Sequence, residues 1–426
     1  MQDPGIMTGR QPNRTGPEVV VVGGGPAGSA VATHLARLGR RVLLIEKAKT
    51  ARPRVCGEYL SPECLRLVNR LGALDSLGEE RPYRLRGMRI HTQSGSVLLG
   101  EFPALPTDLS ASNEPGAGLG SWRGGLAISR PVFDSVLLRN ACRSGVEILR
   151  GVTVTDLLQD GDRVTGVRIW SPEGFRDLRC RLVIGADGRH STIARALGLR
   201  KAHPRLRKTG FILRYQGVTD PGPYGEVFLA GDSYCILNPM GNGRLTLGLV
   251  IPAADVSSWP GSPETLIARR LETFPLVGDR LGAAKPLPEI RGISPLAFRT
   301  TRQVHHGALL VGDAAGFFDP LTGEGIHIAL RGAELAAEVA HEALAAGDTS
   351  MATLVRYERL RRQVLLPKNR FCAVLQAVIR RPLLADFLAG RLMRRTDLRE
   401  AFMGVIGDSL PTTTLLRTLC VPGPSK

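Results

Sequence analysis

Glu18-Val19-Val20-Val21-Val22-Gly23-Gly24-Gly25-Pro26-Ala27-Gly28 decides how the rest of this chain is read. The valines are apolar and β-branched, the pattern of a strand buried on both faces of a parallel sheet. Residues 29–38 carry apolar side chains at helical spacing, and Gly39 stops them. Gly23, Gly25 and Gly28 fall on G-x-G-x-x-G. The first permits a tight turn, the second lets backbone approach a pyrophosphate, and the third lets helix and strand pack closely. The helix N-terminus beyond this loop, which also holds Pro26 and Ala27, offers free N–H groups and a positive dipole end that suit phosphates. A second strand, residues 41–45, ends on Glu46, eighteen residues beyond Gly28, with Lys47 next. An acid there suits the two ribose hydroxyls of an adenosine. A lone glycine loop would signify little. Strand, helix, second strand and terminal acid in register predict an adenine-dinucleotide site.

The whole chain has 426 residues, enough for two or three domains, with 43% hydrophobic and 22% charged residues as in ordinary globular proteins. Seven cysteines without a C-x-x-C pair argue against a disulfide framework or zinc ribbon and fit a reducing cytosol. His305-His306 lacks ligand-type neighbours and predicts a surface pair, with no metal site. No apolar run reaches the roughly 18 residues of a membrane span, and no secretory signal is visible. The expectation is a cytoplasmic protein, with peripheral membrane contact as a further option. The net charge of +17 is uneven: residues 356–426 hold fourteen Lys/Arg against five Asp/Glu, or +9. Such a patch could meet an anionic membrane or an acidic partner. With aromatics at 5% and no nucleic-acid motif, nucleic acid is an improbable partner.

Along the chain, residues 1–17 form a polar tail expected to be disordered. Residues 85–99 alternate like two strands joined at Ser94-Gly95, and residues 101–125 are a Pro/Gly/Ser-rich loop that reads as a lid or a mobile segment. Ser129 is a candidate N-cap for the helix beginning at Arg130. Residues 211–251 run strand after strand as one antiparallel sheet. The expected class is α/β: a Rossmann-like dinucleotide domain interleaved with an antiparallel β-sheet substrate domain, plus C-terminal helices. The boundaries are residues 18–84, 124–202 and 296–346 for the first, 85–123 and 203–295 for the second, and 347–426 for a basic helical region. Phe371, Val374, Leu375, Val378 and Ile379 make an amphipathic stripe there, facing either a core or a membrane.

Two later loops each put an Asp at the carboxyl end of a strand, where open α/β sheets bind ligands. One is Gly185-Ala186-Asp187-Gly188-Arg189-His190-Ser191. The other is Gly312-Asp313-Ala314-Ala315-Gly316, followed by Asp319-Pro320-Leu321-Thr322-Gly323-Glu324-Gly325-Ile326. Each Asp could accept from ligand hydroxyls or merely stabilise its own turn. Asp319 sits more loosely, before Pro320.

G-x-G-x-x-G, a D-G loop and a G-D loop, in this order over residues 18–346, resemble the flavoprotein hydroxylase superfamily built like para-hydroxybenzoate hydroxylase. The resemblance implies FAD as cofactor. It assigns the pyrophosphate to Gly23, Gly25 and Gly28, the adenosine ribose to Glu46, and further FAD contacts to Arg130 (in R-x-x-F-D-x-x-L), Gly312 and Asp313. Asp187 would support the cofactor, and Pro320, Gly323, Gly325 and Ile326 would lie against the flavin. Within the superfamily, Cys56-Gly57-Glu58 with Leu60-Ser61-Pro62, the stretch 234–248 and residues 320–326 look most like the geranylgeranyl-reductase-related branch. That branch implies a lipophilic substrate and makes Cys56 a catalytic candidate on the flavin side of the pocket, the alternative being a small buried apolar side chain. It contains both isoprenoid double-bond reductases and monooxygenases hydroxylating lipophilic aromatic or polyketide-type molecules. Hydroxylation is the leading expectation, double-bond reduction the alternative, and a non-catalytic prenyl-protein chaperone a remote third. Cys235 replaces an aromatic usual in the branch, a change expected to fall in the reductase pocket. The W-x-W-x-I-P of flavin halogenases is absent. No second dinucleotide fingerprint exists, so NAD(P)H would dock transiently or a protein partner would bring electrons.

Overall fold

The computed structural model describes residues 16–103, 119, 122–203, 206–319 and 321–420. Most of the expected tail, most of the expected lid in residues 101–125, and Pro320 lie outside the described residues.

Val19–Val22 is the hub of a six-stranded sheet. It pairs in parallel with Val42–Glu46 on one side and Leu182–Gly185 on the other. Glu147–Arg150 and Ala308–Leu310 extend the sheet outward, and Val304–His305 closes one edge antiparallel. Alternation splits the valines between two cores. Val19 and Val21 face the helices Pro26–Arg37, Arg130–Arg143 and Gly325–Ala345. Val20 and Val22 face a three-stranded antiparallel sheet of Thr153–Asp160, Arg163–Ser171 and Gly174–Arg179. Both faces are buried, so the strand needs no polar residue. The turn after it admits only glycine at two points. Gly23 has φ +105, and a Cβ there would stand 2.5 Å from the Ala186 carbonyl oxygen; one on Gly28 would stand 1.8 Å from that of Gly23.

The second layer is an eight-stranded, mostly antiparallel sheet. Lys208–Gln216, Arg244–Pro252, Ser233–Gly241 and Tyr224–Ala230 are neighbours, and Tyr224–Ala230 pairs in parallel with Gly87–His91 of the 87–101 hairpin. One face packs Phe211, Leu247 and Leu249 under the helices Pro263–Leu271 and Pro275–Leu281. The other face looks into a cavity towards the first layer. Four helices, Met351–Ile379, Pro382–Arg394, Thr396–Ile406 and Thr412–Cys420, roof that cavity.

Two local expectations change. Ser129 stands at the N-cap of Arg130–Arg143, but its side chain caps nothing. The Arg130 amide donates instead to Glu58 Oε1 at 3.2 Å, so a distant acid supplies the cap. Cys235 is fully buried on the helix-covered face with Leu237, whereas its neighbour Ile236 lines the cavity. Period-two alternation therefore takes the Cys235 substitution out of the pocket.

Candidate active site

One cavity of about 1230 Å³ runs between the two layers and under the C-terminal helices. Gly23, Gly25, Pro26, Ala27, Glu46, Lys47, Cys56, Arg130, Asp187, Asp313, Gly323, Gly325 and Ile326 all line it. These residues come from seven stretches of the chain, four of which follow the strands Val19–Val22, Val42–Glu46, Leu182–Gly185 and Ala308–Leu310, whose carboxyl ends face one side. Gly28 and Gly312 stand behind the wall instead. Gly28 lets the helix approach Gly23, and Gly312 lies so close to Ala27 that a Cβ would meet it at 2.7 Å.

The helix Pro26–Arg37 has no acid in its first turn, and neither has Gly325–Ala345. The N-terminus of Pro26–Arg37 thus offers the cavity a positive dipole end, while that of Gly325–Ala345 has the buried Glu324 at its N-cap. A Cβ built on Gly25 meets nothing within 4 Å, so that backbone is open to a ligand. Glu46 closes the loop from below, accepting from the amides of Gly24 at 2.7 Å and Ala48 at 2.8 Å.

Asp187 serves two masters. Its Oδ2 accepts from Thr192 N at 2.6 Å, starting the helix Thr192–Ala196, while its Oδ1 is buried with no partner. Burial pushes its carboxyl up, against those hydrogen bonds. Arg189, inside the same loop, was not singled out by sequence reasoning. It is buried, its Nε and Nη2 have no partner, and burial lowers it to about 10, with Asp313 opposing. Burial also pushes Asp313 up, against Arg130, Arg189 and Arg361. Arg189 keeps one hydrogen bond, from Nη1 to the Leu296 carbonyl. Its two unpaired nitrogens, the unpaired Asp187 oxygen and the open Gly25 backbone around one space are the donor and acceptor set a dinucleotide pyrophosphate and its sugar hydroxyls would satisfy.

Cys56 is half-buried at the cavity wall. Burial pushes its thiol up, against the neighbouring Arg130, so it stands as a thiol at neutral pH. Arg130 is itself clamped by Asp134 at 2.8 and 3.0 Å; burial would lower it, but Asp134 and Cys56 raise it overall. Glu58, at φ +59, holds the motif to the second sheet through Arg214 at 2.9 Å and Thr246 at 2.7 Å. Asn238 donates to the Gly57 carbonyl at 2.7 Å. The C-G-E segment is therefore the bolt between the layers.

Asp319 is not loosely placed. It is buried and accepts from Tyr234 Oη at 2.8 Å and Leu321 N at 2.9 Å. Away from the dinucleotide cradle the wall is aliphatic: Ile90, Leu98, Ile212, Val227, Leu229, Ile236 and Val250 from the sheet. Phe371, Val374, Leu375, Val378 and Ile379 complete it from the helical roof. The amphipathic stripe thus faces a cavity, which the choice between core and membrane did not include. Arg54 also lines the space and sits in no recognisable spacing; Tyr59, next to the C-G-E motif, and Asn238, within the stretch 234–248, line it as well.

A family described as FAD binding domain matches residues 17–213. The digeranylgeranylglycerophospholipid reductase 2 of Methanopyrus kandleri is 32% identical over 350 residues, 80% of this chain and 81% of that protein. Among solved structures, a geranylgeranyl bacteriochlorophyll reductase-like protein from Thermoplasma acidophilum superposes with TM-score 0.72 at 24% identity, covering 95% of each chain. The flavin-dependent brominase Bmp2 superposes with TM-score 0.79 at 20% identity, covering 95% of this chain and 98% of its own. At those identities the two structures speak for the fold.

Proposed function

We propose that this chain, which belongs to the digeranylgeranylglycerophospholipid reductase family and is an FAD-dependent oxidoreductase, saturates carbon–carbon double bonds of a long isoprenoid lipid. The observation that carries this is continuity. Gly25, Glu46, Asp187 and Asp313 and the aliphatic wall belong to one cavity, so a hydrocarbon chain lying along that wall would reach the residues that would hold the cofactor. FAD held by these residues would, once reduced, supply a hydride equivalent to one carbon of the double bond. The other carbon needs a proton. Cys56, kept as a thiol by burial, stands at that end of the cavity and is the group assigned to give it. Arg130 beside it stabilises the thiolate left behind until water reprotonates it. The apolar wall orients the chain and excludes water. A transiently docked NAD(P)H or a protein donor restores the electrons.

A second reading, hydroxylation of a lipophilic aromatic molecule, is favoured by Asn238. Its Oδ1 is buried without a partner at the cavity and could accept from a phenolic hydroxyl. One experiment separates the two. Chemically reduced holoenzyme, held anaerobically with a geranylgeranyl lipid, is expected to add two hydrogens per double bond by mass. No saturation, together with one labelled oxygen entering a lipophilic phenol under isotopic dioxygen, would replace the first reading by the second.

A further inference from the structure

The cavity has a mouth, and its rim is identifiable. Arg370, Val374, Arg391, Leu416 and Leu419 both line the cavity and are exposed, so the opening lies between the helices Met351–Ile379, Pro382–Arg394 and Thr412–Cys420. Thirteen large apolar side chains are exposed among the described residues, and seven of them fall within residues 374–419. The most exposed of these seven are Leu383 at 85%, Leu416 at 61%, Val374 at 60% and Phe387 at 59%. The helix Pro382–Arg394 shows the division most clearly. Ala385, Leu388, Ala389 and Leu392 face the cavity, while Leu383 and Phe387, one turn apart, face outward. A helix apolar on both sides has a use for both. Charge accompanies the patch: residues 370–420 carry eight arginines against four Asp/Glu, and Asp408, one of the four, has a buried side chain.

We propose that this helical rim docks on an anionic lipid bilayer and takes the isoprenoid chain directly from it. The proposal rests on the reading of the cavity as a lipid site. The outward leucines and phenylalanine would sink into the interface, the arginines would meet lipid phosphates, and the mouth would open into the acyl layer. No helix among the described residues is long and apolar enough to cross a membrane, so the contact would be interfacial. A hydrocarbon chain then passes from acyl layer to apolar wall without entering water, which removes the largest barrier to its transfer.

The test is sedimentation of the full-length holoenzyme with vesicles of phosphatidylcholine containing about one-third phosphatidylglycerol, a charge density that attracts basic surfaces. The wild-type protein should sediment with them, and added salt should weaken the binding. The double variant Leu383→Asp/Phe387→Asp should bind roughly tenfold less or worse, since it puts charge where apolar area was buried. Both sites are exposed, so FAD content and thermal midpoint should hold. Turnover of a short, detergent-dispersed prenyl alcohol should survive while turnover of a bilayer-embedded lipid falls. A wild-type protein that stays in the supernatant overturns the proposal, as does a variant that sediments like the wild type. Gel filtration showing that the variant splits a dimer, with no vesicle binding by either form, would give the face to a second copy and also overturn it. Because sedimentation needs no turnover, a protein that binds vesicles yet saturates nothing would sink the reductase reading and leave the docking in place.

Discussion

Asp313 and Asp319 stand six residues apart and do opposite work. Asp313 lines the cavity, and no hydrogen bond to its carboxylate is present among the described residues, so a ligand would complete its role. Asp319 is already satisfied by Tyr234 and Leu321. Asp313→Ala should therefore purify with little FAD and a nearly unchanged thermal midpoint of the apoprotein. Asp319→Ala should keep its flavin-binding residues but lose about 1–3 kcal/mol, because the buried Tyr234 hydroxyl is left unsatisfied. Cofactor content and thermal melting separate them; a reversed pattern would remove Asp313 from the site. Glu46 is intermediate, since it holds the loop amides of Gly24 and Ala48 and also lines the cavity. Glu46→Gln puts an amide N–H₂ where an acceptor is needed, so FAD affinity should fall by one to two orders of magnitude, roughly 1.4 kcal/mol per decade. The spectrum of the flavin that does bind should not change, because Glu46 lies at the adenosine end in this assignment. A shifted spectrum at unchanged affinity would contradict the ribose assignment.

At the scale of elements, the long helix Met351–Ile379 is pinned by one buried cation. Lys368 meets Asp408 at 2.7 Å and Glu324 at 3.4 Å, and His327 stands 3.4 Å from Asp408. Glu324 is the N-cap residue of the helix Gly325–Ala345, so the same cluster ties the cavity roof to that helix. Burial alone would raise Asp408, yet His327 and Lys368 hold it below the usual carboxylate range. A depressed carboxylate contributes stability above its unfolded pKa and loses it as pH falls through the lower, folded value. Lys368→Met leaves two buried carboxylates facing each other and should cost about 3–5 kcal/mol at neutral pH. The deficit should shrink as pH approaches the ordinary carboxylate range and the variant's acids take up protons. Chemical denaturation across pH checks it, and a deficit independent of pH would mean that only packing was lost. None of this cluster was legible beforehand, because its members come from elements that only the fold brings together. The strands and helices themselves were legible where one face is apolar and one chemistry rules. Val19–Val22 could be nothing but a buried strand, and the turn at Ser94-Gly95 set the hairpin register. The roof stripe at Phe371–Ile379 was legible as amphipathic but not as a cavity wall, since core, cavity and membrane all select the same 3.6-residue period. Cys235 failed for a related reason: a strand position is known from sequence, but which face looks inward is known only from the packing.

For the molecule as a whole, the residues that gather at the strand ends could be picked out in advance because glycines and strand-end acids carry backbone requirements with them. The cavity could not, since it is defined by what three distant segments leave unfilled. Its length nevertheless makes a testable demand. Sheet residues Ile236 and Val250 form one wall and Leu375 and Val378 the facing one. A chain reaching from the mouth at Arg391 to the flavin end at Cys56 must pass between these walls. Leu375→Trp enlarges a half-buried side chain at that passage, into open space rather than into a packed core, so the usual overpacking cost of about 1–3 kcal/mol should be largely avoided. FAD affinity should not change, because no cradle residue is moved. Turnover of a geranylgeranyl lipid should drop at least roughly tenfold, the penalty of about 1.4 kcal/mol or more for a chain that no longer fits. A geranyl analogue, short enough to lie wholly on the flavin side of the obstruction, should keep its rate. Equal losses for both substrates would indicate that the helix itself had shifted, and no loss for either would mean that the chain does not run between these walls.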